Sequence, residues 1–301
     1  MWRLSMEICK SFDCIKNADL SIVTKRTYLE RLRYIIQETE TDLGEILTNP
    51  KKYLVWIHEH SPSLQTQKSY ISAILAVFKH TPDMKKTKQA DYYEWYQGFK
   101  GVHQQIDHRY KLNEPTDKQK DAFVSFEDII KKRNQLPKGG KERLLLSLYT
   151  YLPPLRSDFN EVFIYSKAPE GDKYQHSNYV KLFHTPSLVL NEYKTVRKND
   201  SFEKEIPAEL YHEIQDSLKK EPREWLFMDR NNKPYKENSY NRWVNRTLKK
   251  LFQKALTISL IRHSYINSLD FNKLTVLEKE TIAKDMAHTV TTQDRYRLIF
   301  N

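Results

Sequence analysis

Through the first third of the chain, apolar residues recur at three- and four-residue intervals, the spacing that puts one stripe of an α-helix against a core. Over 24–36 the stripe is Tyr28, Leu29, Leu32 and Ile36. Asn49 followed by Pro50 reads as an N-cap and first helical residue, opening a helix that turns Tyr53, Leu54, Trp56 and Ile57 inward. The pattern repeats over 66–80 through Ile71, Ile74, Leu75 and Phe78, and over 91–103 through Tyr92, Trp95, Tyr96 and Phe99. Four helices are therefore predicted in residues 1–110. The periodicity lapses in a polar stretch with one proline, and 111–123 reads as a linker. Ser125 with Asp128 has the capping-box spacing that starts a new helix.

Beyond the linker the period changes. Residues 159–165, 179–184, 188–193 and 202–206 alternate or are rich in β-branched and aromatic residues, and the last two flank the polar turn VRKNDS, as the arms of a hairpin would. Helical patterns return over 207–218, 237–252, 259–269 and 275–287, with Thr275 and Glu278 spaced as a second capping box. These elements predict an α+β, mainly helical chain: a four-helix domain over 1–110, and over 124–301 a mixed domain with a small antiparallel sheet. There is no internal repeat and no low-complexity segment.

Composition narrows the partners. The 301 residues carry 50 Lys plus Arg against 39 Asp plus Glu, a net charge of +11, which is the electrostatic footprint of a protein that neutralises phosphates. The excess is spread, +3 over 1–110 (16 basic, 13 acidic) and +8 over the rest (34 and 26), so both parts can face a nucleic-acid backbone. No apolar run approaches the roughly 18 residues that span a bilayer, and MWRLSMEICKSF lacks the apolar core of a signal peptide; no membrane is expected, and the location is expected to be intracellular, nucleus or cytoplasm left open. Cys9 and Cys14 are the only cysteines, read as thiols in a reducing compartment, with no partners for a metal. The six glycines, at 44, 98, 101, 139, 140 and 171, form neither a P-loop nor a dinucleotide fingerprint, so no cofactor is expected.

Four strings in the second half carry chemistry: YTYLPPLRSDFNEV around Arg156, LVLNEYKT ending at Lys194, SLIRHSYINSL with Arg262 and His263, and MAHTVTTQDRYRL with His288 and Tyr296. Taken singly each has an ordinary explanation. Arg156 follows a Pro-Pro turn, Lys194 sits in a charged hairpin tip, Arg262 and His263 open a helix, His288 suits a half-buried site and Tyr296 a packed aromatic. In this order and spacing, however, the strings resemble the catalytic domain of the tyrosine recombinases, the phage-integrase family, and the four-helix region resembles that family's core-binding domain.

The resemblance implies strand cleavage and rejoining on double-stranded DNA without ATP or metal. A phenolic oxygen, here Tyr296, keeps the phosphate as a covalent 3′ ester. Arg156 and Arg262 meet the charge on the non-bridging oxygens with permanently charged, forked donors. Lys194 delivers a proton to the departing 5′ oxygen, and His288 donates to the phosphate. His263 is a supporting residue. The family acts as an assembly of four protomers on two duplexes, and a virus or mobile element is the natural carrier of such a gene.

Two departures stand out. Ser259 occupies the position, three before the second arginine, where the family has His or Lys to assist the nucleophile; serine is a good N-cap, and Ser259 is expected to cap the helix carrying Arg262. The interval from His288 to Tyr296 is one residue shorter than usual, and only RLIFN follows, leaving no room for the helix that many relatives exchange between protomers. Two other readings therefore stay open, a type IB topoisomerase-like relaxing enzyme and a catalytically weakened DNA-binding protein of the same fold. Arg242, Arg246, Lys249 and Lys250 share one face of the 237–252 helix, a candidate DNA contact that is equally a solvated face.

Overall fold

The computed structural model describes residues 12–172, 174–193 and 202–300. Its chain divides into two compact units, Met1–Leu112 and Asn113–Asn301.

Among the described residues, the first unit is entirely helical, with short α1 (Asp13–Lys16), α3 (Leu43–Thr48) and α6 (Met84–Thr87) joining the long α2 (Ile22–Thr39), α4 (Pro50–His60), α5 (Leu64–His80) and α7 (Gln89–Lys111). Ser21 starts α2 by accepting from the Thr24 amide at 3.1 Å, satisfying one of the N–H groups that a helix start leaves over. Asn49 precedes α4 as expected, but its side chain makes no cap bond and donates instead to the Glu45 carbonyl at 3.0 Å. The centre is α5, which buries Ile71, Ala73, Ile74, Ala76, Val77 and Phe78. Trp95 of α7 is fully buried and donates to the Leu47 carbonyl at 3.3 Å. Gly98 lets α7 approach α4, since a Cβ there would lie 2.5 Å from a Leu54 methyl.

The polar stretch after residue 105 is more ordered than its composition predicts. α7 continues through it to Lys111, burying Ile106, and α8 (Asp117–Ala122) lies inside the expected linker. The signal for α8 was Thr116 with Gln119, a full capping box in which the Thr116 hydroxyl accepts from the Gln119 amide at 3.2 Å and the Gln119 side chain accepts from the Thr116 amide at 2.8 Å.

The second unit continues with α9 (Phe126–Gln135), α10 (Lys141–Tyr151), β1 (Phe163–Tyr165), β2 (Asn178–Lys181), β3 (Ser187–Leu190), β4 (Phe202–Glu205), α11 (Ala208–Lys220), α12 (Glu237–Phe252), α13 (Ile258–Ser268), α14 (Val276–Asp285) and α15 (Val290–Asp294). One core collects Leu144, Leu145, Leu148 and Tyr149 of α10, Leu188 and Leu190 of β3, Leu210 and Ile214 of α11, Tyr240, Val244 and Leu248 of α12, and Ile261 of α13. Gly139 makes the turn into α10 at φ +71, where a Cβ would lie 2.7 Å from the Asp216 carbonyl oxygen.

The sheet runs β1-β2-β3-β4 and is mixed, which corrects the expectation of an antiparallel one. β2, β3 and β4 form an antiparallel meander with Val180 opposite Leu188 and Leu190 opposite Phe202. β1 pairs with β2 in parallel, Ile164 beside Val180. The stretch 166–177 returns the chain to the starting end of β1, the kind of longer connection that a parallel neighbour needs and a hairpin does not. A second, smaller cluster of Ile266, Phe271 and Met286, with Tyr265, Leu269, Leu274 and Ile282 against it, forms the floor on which Tyr296 rests.

No helix among the described residues is long and apolar enough to cross a membrane. Cys14 is buried on α1, and Cys9 lies outside the described residues.

Candidate functional site

The site is organised by the carbonyl end of α14. A helix leaves its last carbonyls without intrahelical partners and slightly negative, so cations are favoured there. Thr275 and Glu278 start α14 with a capping box, as expected, and the chain leaves it through Met286 and a left-handed Ala287 (φ 51). The carbonyls of Met286 and Ala287, the residues following α14, accept from two arginines from elsewhere: Arg262 donates to Met286 at 3.3 Å and Arg156 to Ala287 at 3.1 Å. Two like charges are thereby held side by side by one helix end.

Arg156 leaves α10 through Pro153 and Pro154. Its backbone is held on both sides, the Tyr149 hydroxyl donating to its carbonyl at 2.8 Å and its own amide donating to Asp158 Oδ2 at 3.0 Å. Arg262, in the middle of α13, is 1% exposed. Its Nη1 donates to the Pro154 carbonyl at 2.5 Å and its Nη2 to His288 Nδ1 at 2.9 Å. Among the described residues no carboxylate pairs with it, and its buried Nε–H has no partner. Burial lowers the Arg262 pKa, Tyr296 opposes that effect and Arg156 adds to it. A guanidinium remains protonated all the same, so the site keeps its positive charge.

His288 stands just past α14 with its amide bonded to the Ala283 carbonyl at 3.0 Å. Arginine can only donate, so His288 Nδ1 accepts and the proton of the neutral ring sits on Nε2. Burial first, then Arg262 and Arg156, bring the His288 pKa down to about 3, so the ring is neutral at physiological pH. That Nε2–H is buried and has no partner among the described residues. His263 takes the opposite tautomer. Its Nδ1–H donates to the Tyr296 carbonyl at 2.6 Å, which leaves Nε2 to accept from the Gln119 side-chain Nε2 at 3.5 Å. Burial, with Arg262, lowers its pKa as well, against the bond to Tyr296.

Tyr296 sits in the turn after α15, half-buried, its amide donating to the Gln293 carbonyl at 2.9 Å. Its ring lies 4.7 Å from the Arg262 guanidinium carbon, 5.4 Å from the His288 ring and 4.9 Å from the His263 ring. The structure thus brings Arg156, Arg262, His263, His288 and Tyr296 together from three separate stretches of chain. Lys194 lies outside the described residues. The strand after it is tied to the same place, since Lys204 of β4 pairs with Asp285 at the end of α14 at 2.6 Å.

One expectation changes. Ser259 is not the cap of α13: Thr257 is, accepting from the Leu260 amide at 3.2 Å, and the helix starts one residue before Ser259. Ser259 is exposed, its side chain makes no hydrogen bond among the described residues, and it lines a cavity of about 470 Å³ with Lys118, Gln119 and Thr257. Arg242, Arg246, Lys249 and Lys250 are all exposed on α12, opposite Tyr240, Val244 and Leu248. Among the described residues no ion pair neutralises them and none of them bonds to the cluster.

Two polar residues went unnoticed in the sequence. Gln293 of α15 is fully buried with neither carboxamide atom partnered. Asn267 of α13 bonds to the backbone beyond Tyr296 at Leu298. The only signal for Asn267 was its place four residues after His263, on the same helix face. Among the described residues no group of three His, Cys, Asp or Glu is placed to hold a metal.

No family profile matches the sequence, and no curated protein matches it. Among solved structures, the chain is similar to a crystal structure of XerA recombinase, with 13% identity, 99% of this chain and 94% of that one covered, and a TM-score of 0.44.

Proposed function

We propose that this chain is a DNA strand transferase of the tyrosine-recombinase type, cleaving and rejoining double-stranded DNA through a phosphotyrosine at Tyr296. One observation carries the reading. Among the described residues a buried arginine that makes no ion pair stands beside a neutral histidine whose proton-bearing nitrogen has no partner, and a phenol lies against both. Buried donors of this kind are normally satisfied. A phosphodiester supplies what they lack, namely negative charge and acceptor oxygens in a site already shaped to receive them.

In this reading the Tyr296 oxygen attacks the phosphorus, a P–O bond forms, and the bond to the 5′ oxygen breaks. Arg156, Arg262 and the Nε2–H of His288 stabilise the charge gathered on the non-bridging oxygens. Lys194 protonates the departing 5′ oxygen. Neither histidine is free to take the phenol's proton, since His288 Nδ1 and His263 Nε2 each accept from a donor and the other nitrogen of each carries a proton, and Ser259 lines a separate cavity. The proton leaves to solvent or to the phosphate, and cleavage is slow. The exposed basic face of α12 contacts phosphates flanking the site, and four protomers on two duplexes carry out the exchange. The chemistry needs no metal or nucleotide.

The test is a duplex nicked near its target so that cleavage traps the protein. Covalent capture is expected from the wild-type chain and none from Tyr296→Phe, with duplex affinity nearly unchanged. Capture that persists in Tyr296→Phe would mean another nucleophile; Tyr265 is a poor one, its phenol pushed up to about 12 by burial and then by Asp285. Exchange of strands between two duplexes separates recombination from simple relaxation, and binding without capture leaves only a DNA-binding role.

A further inference from the structure

His263 and Asn267 lie four residues apart on α13, so their side chains share one face about 6 Å apart along the axis. The chain that follows α15 presents Tyr296 and Leu298 to that face, two residues apart, a span of roughly 6.6 Å in extended backbone. The two spacings match, and the bonds form at both points. His263 donates to the Tyr296 carbonyl at 2.6 Å. Asn267 Nδ2 donates to the Leu298 carbonyl at 2.8 Å, and its Oδ1 accepts from the Leu298 amide at 2.9 Å. The carboxamide is thus used at both ends, as the backbone of a neighbouring β-strand would be. Beyond it the Ile299 amide donates to the Asn113 carbonyl at 2.9 Å and the Phe300 ring lies 4.4 Å from Phe123.

Residues 297–300 have no regular secondary structure of their own, and these bonds, together with the burial of Leu298, tie the segment to α13. The helix that makes them also carries Arg262. We propose that Asn267 is a positioning residue for the nucleophile: with His263 it clamps the Tyr296–Leu298 backbone to α13, so that one rigid element sets the distance between Tyr296 and the arginine that holds the phosphate. The inference rests on the strand-transfer reading above. Asn267 does not touch the reacting atoms; it removes the freedom of the segment that bears them. A nucleophile misplaced by about 1 Å loses on the order of 100-fold in rate.

The experiment compares the full-length wild type with Asn267→Ala and Asn267→Asp. Three quantities are read: the rate of covalent capture at saturating nicked duplex, duplex affinity, and amide hydrogen exchange resolved along the chain. Asn267→Ala should slow capture on the order of 100-fold, leave affinity within about twofold, and speed exchange over 296–300 while α13 stays protected. Asn267→Asp keeps the acceptor for the Leu298 amide and loses the donor to its carbonyl, so its rate should fall between the two. Capture by Asn267→Ala within threefold of wild type overturns the proposal. So does loss of affinity and of protection throughout the second unit, which would make Asn267 a general structural residue. If the wild type itself forms no covalent complex, the strand-transfer reading fails, and the exchange pattern alone still decides whether the clamp exists.

Discussion

Arg143 and Arg262 both leave solvent on helices of the second unit, Arg143 with its side chain 11% exposed and Arg262 at 1%, yet their surroundings differ in kind. Arg143 on α10 meets the Glu213 carboxylate of α11 through Nε at 2.8 Å and Nη2 at 2.6 Å, while its Nη1 donates to the Leu136 carbonyl at 3.0 Å. Its charge is balanced, and the bond to Glu213 raises its pKa. Arg262 is given carbonyls and a histidine nitrogen and, among the described residues, no ion pair; burial lowers its pKa although Tyr296 and Asp158 oppose the shift. Taking a charge out of water is costly unless a counter-charge goes with it. The first arrangement completes a fold; the second is incomplete until an anion arrives.

The comparison can be broken most sharply on the structural side. Arg143→Met leaves Glu213 buried and unpaired, and should destabilise the chain by about 3–5 kcal/mol while cleavage per folded molecule stays near wild type. The chemical denaturation midpoint together with capture by the surviving folded fraction measures both. A large loss of specific activity would place Arg143 in the site.

Arg262 should behave in reverse. Arg262→Ala and Arg262→Lys should each slow capture by roughly 100-fold or more, the lysine failing because an ammonium cannot make the forked contact. The loss of stability in Arg262→Met should be smaller than that in Arg143→Met, because the groups it leaves without a hydrogen-bond partner, two carbonyls and His288 Nδ1, are neutral. If the Arg262 variants instead unfold first and cleave normally when folded, the contrast between the two arginines disappears.

The field of Arg262 and Arg156 also reaches His288, and pH reports on it. The folded chain holds His288 neutral, with a pKa of about 3 against an ordinary 6.5, so on acidification the unfolded chain takes up this proton first. The stability it contributes is complete above about pH 6.5 and is lost as pH falls from there toward 3, by about 1.4 kcal/mol per unit. His263, also lowered, adds in the same direction. Melting temperature followed from pH 7 to 5 should decline more steeply in wild type than in His288→Gln; equal slopes would mean that the ring is not held neutral.

The smallest effect concerns Gln293, three residues before Tyr296 and also incomplete among the described residues. An unsatisfied buried polar group is destabilising by about 1–3 kcal/mol, so Gln293→Met, which keeps the volume, should raise stability by about 1 kcal/mol. A fall in melting temperature would show that ordered water satisfies the carboxamide.

Much of the architecture was legible locally. Helices announced themselves by apolar spacing, and Thr275 with Glu278 forms the capping box its spacing predicted. The same rule applied to Thr116 and Gln119 would have found α8 inside the presumed linker. Ser259 misled because two hydroxyl residues stand within three positions of each other and only the backbone conformation at Thr257 decides which one caps. The mixed sheet was hidden for a similar reason, since alternation predicts strands and says nothing of the direction in which neighbours run.

What the sequence determined by itself is the longer helices, the strands and the order of Arg156, Arg262, His263, His288 and Tyr296 along the chain, because periodicity and capping are short-range effects written in neighbouring residues. Only the tertiary structure decided that the carbonyls of Met286 and Ala287 hold two arginines together, that Arg262 makes no ion pair among the described residues, and that Asn267 reaches Leu298. Each of these is a relation between stretches far apart in sequence. Each depends on which groups are left unpartnered once the helices have packed, and that is settled by burial and geometry rather than by any local pattern of residues.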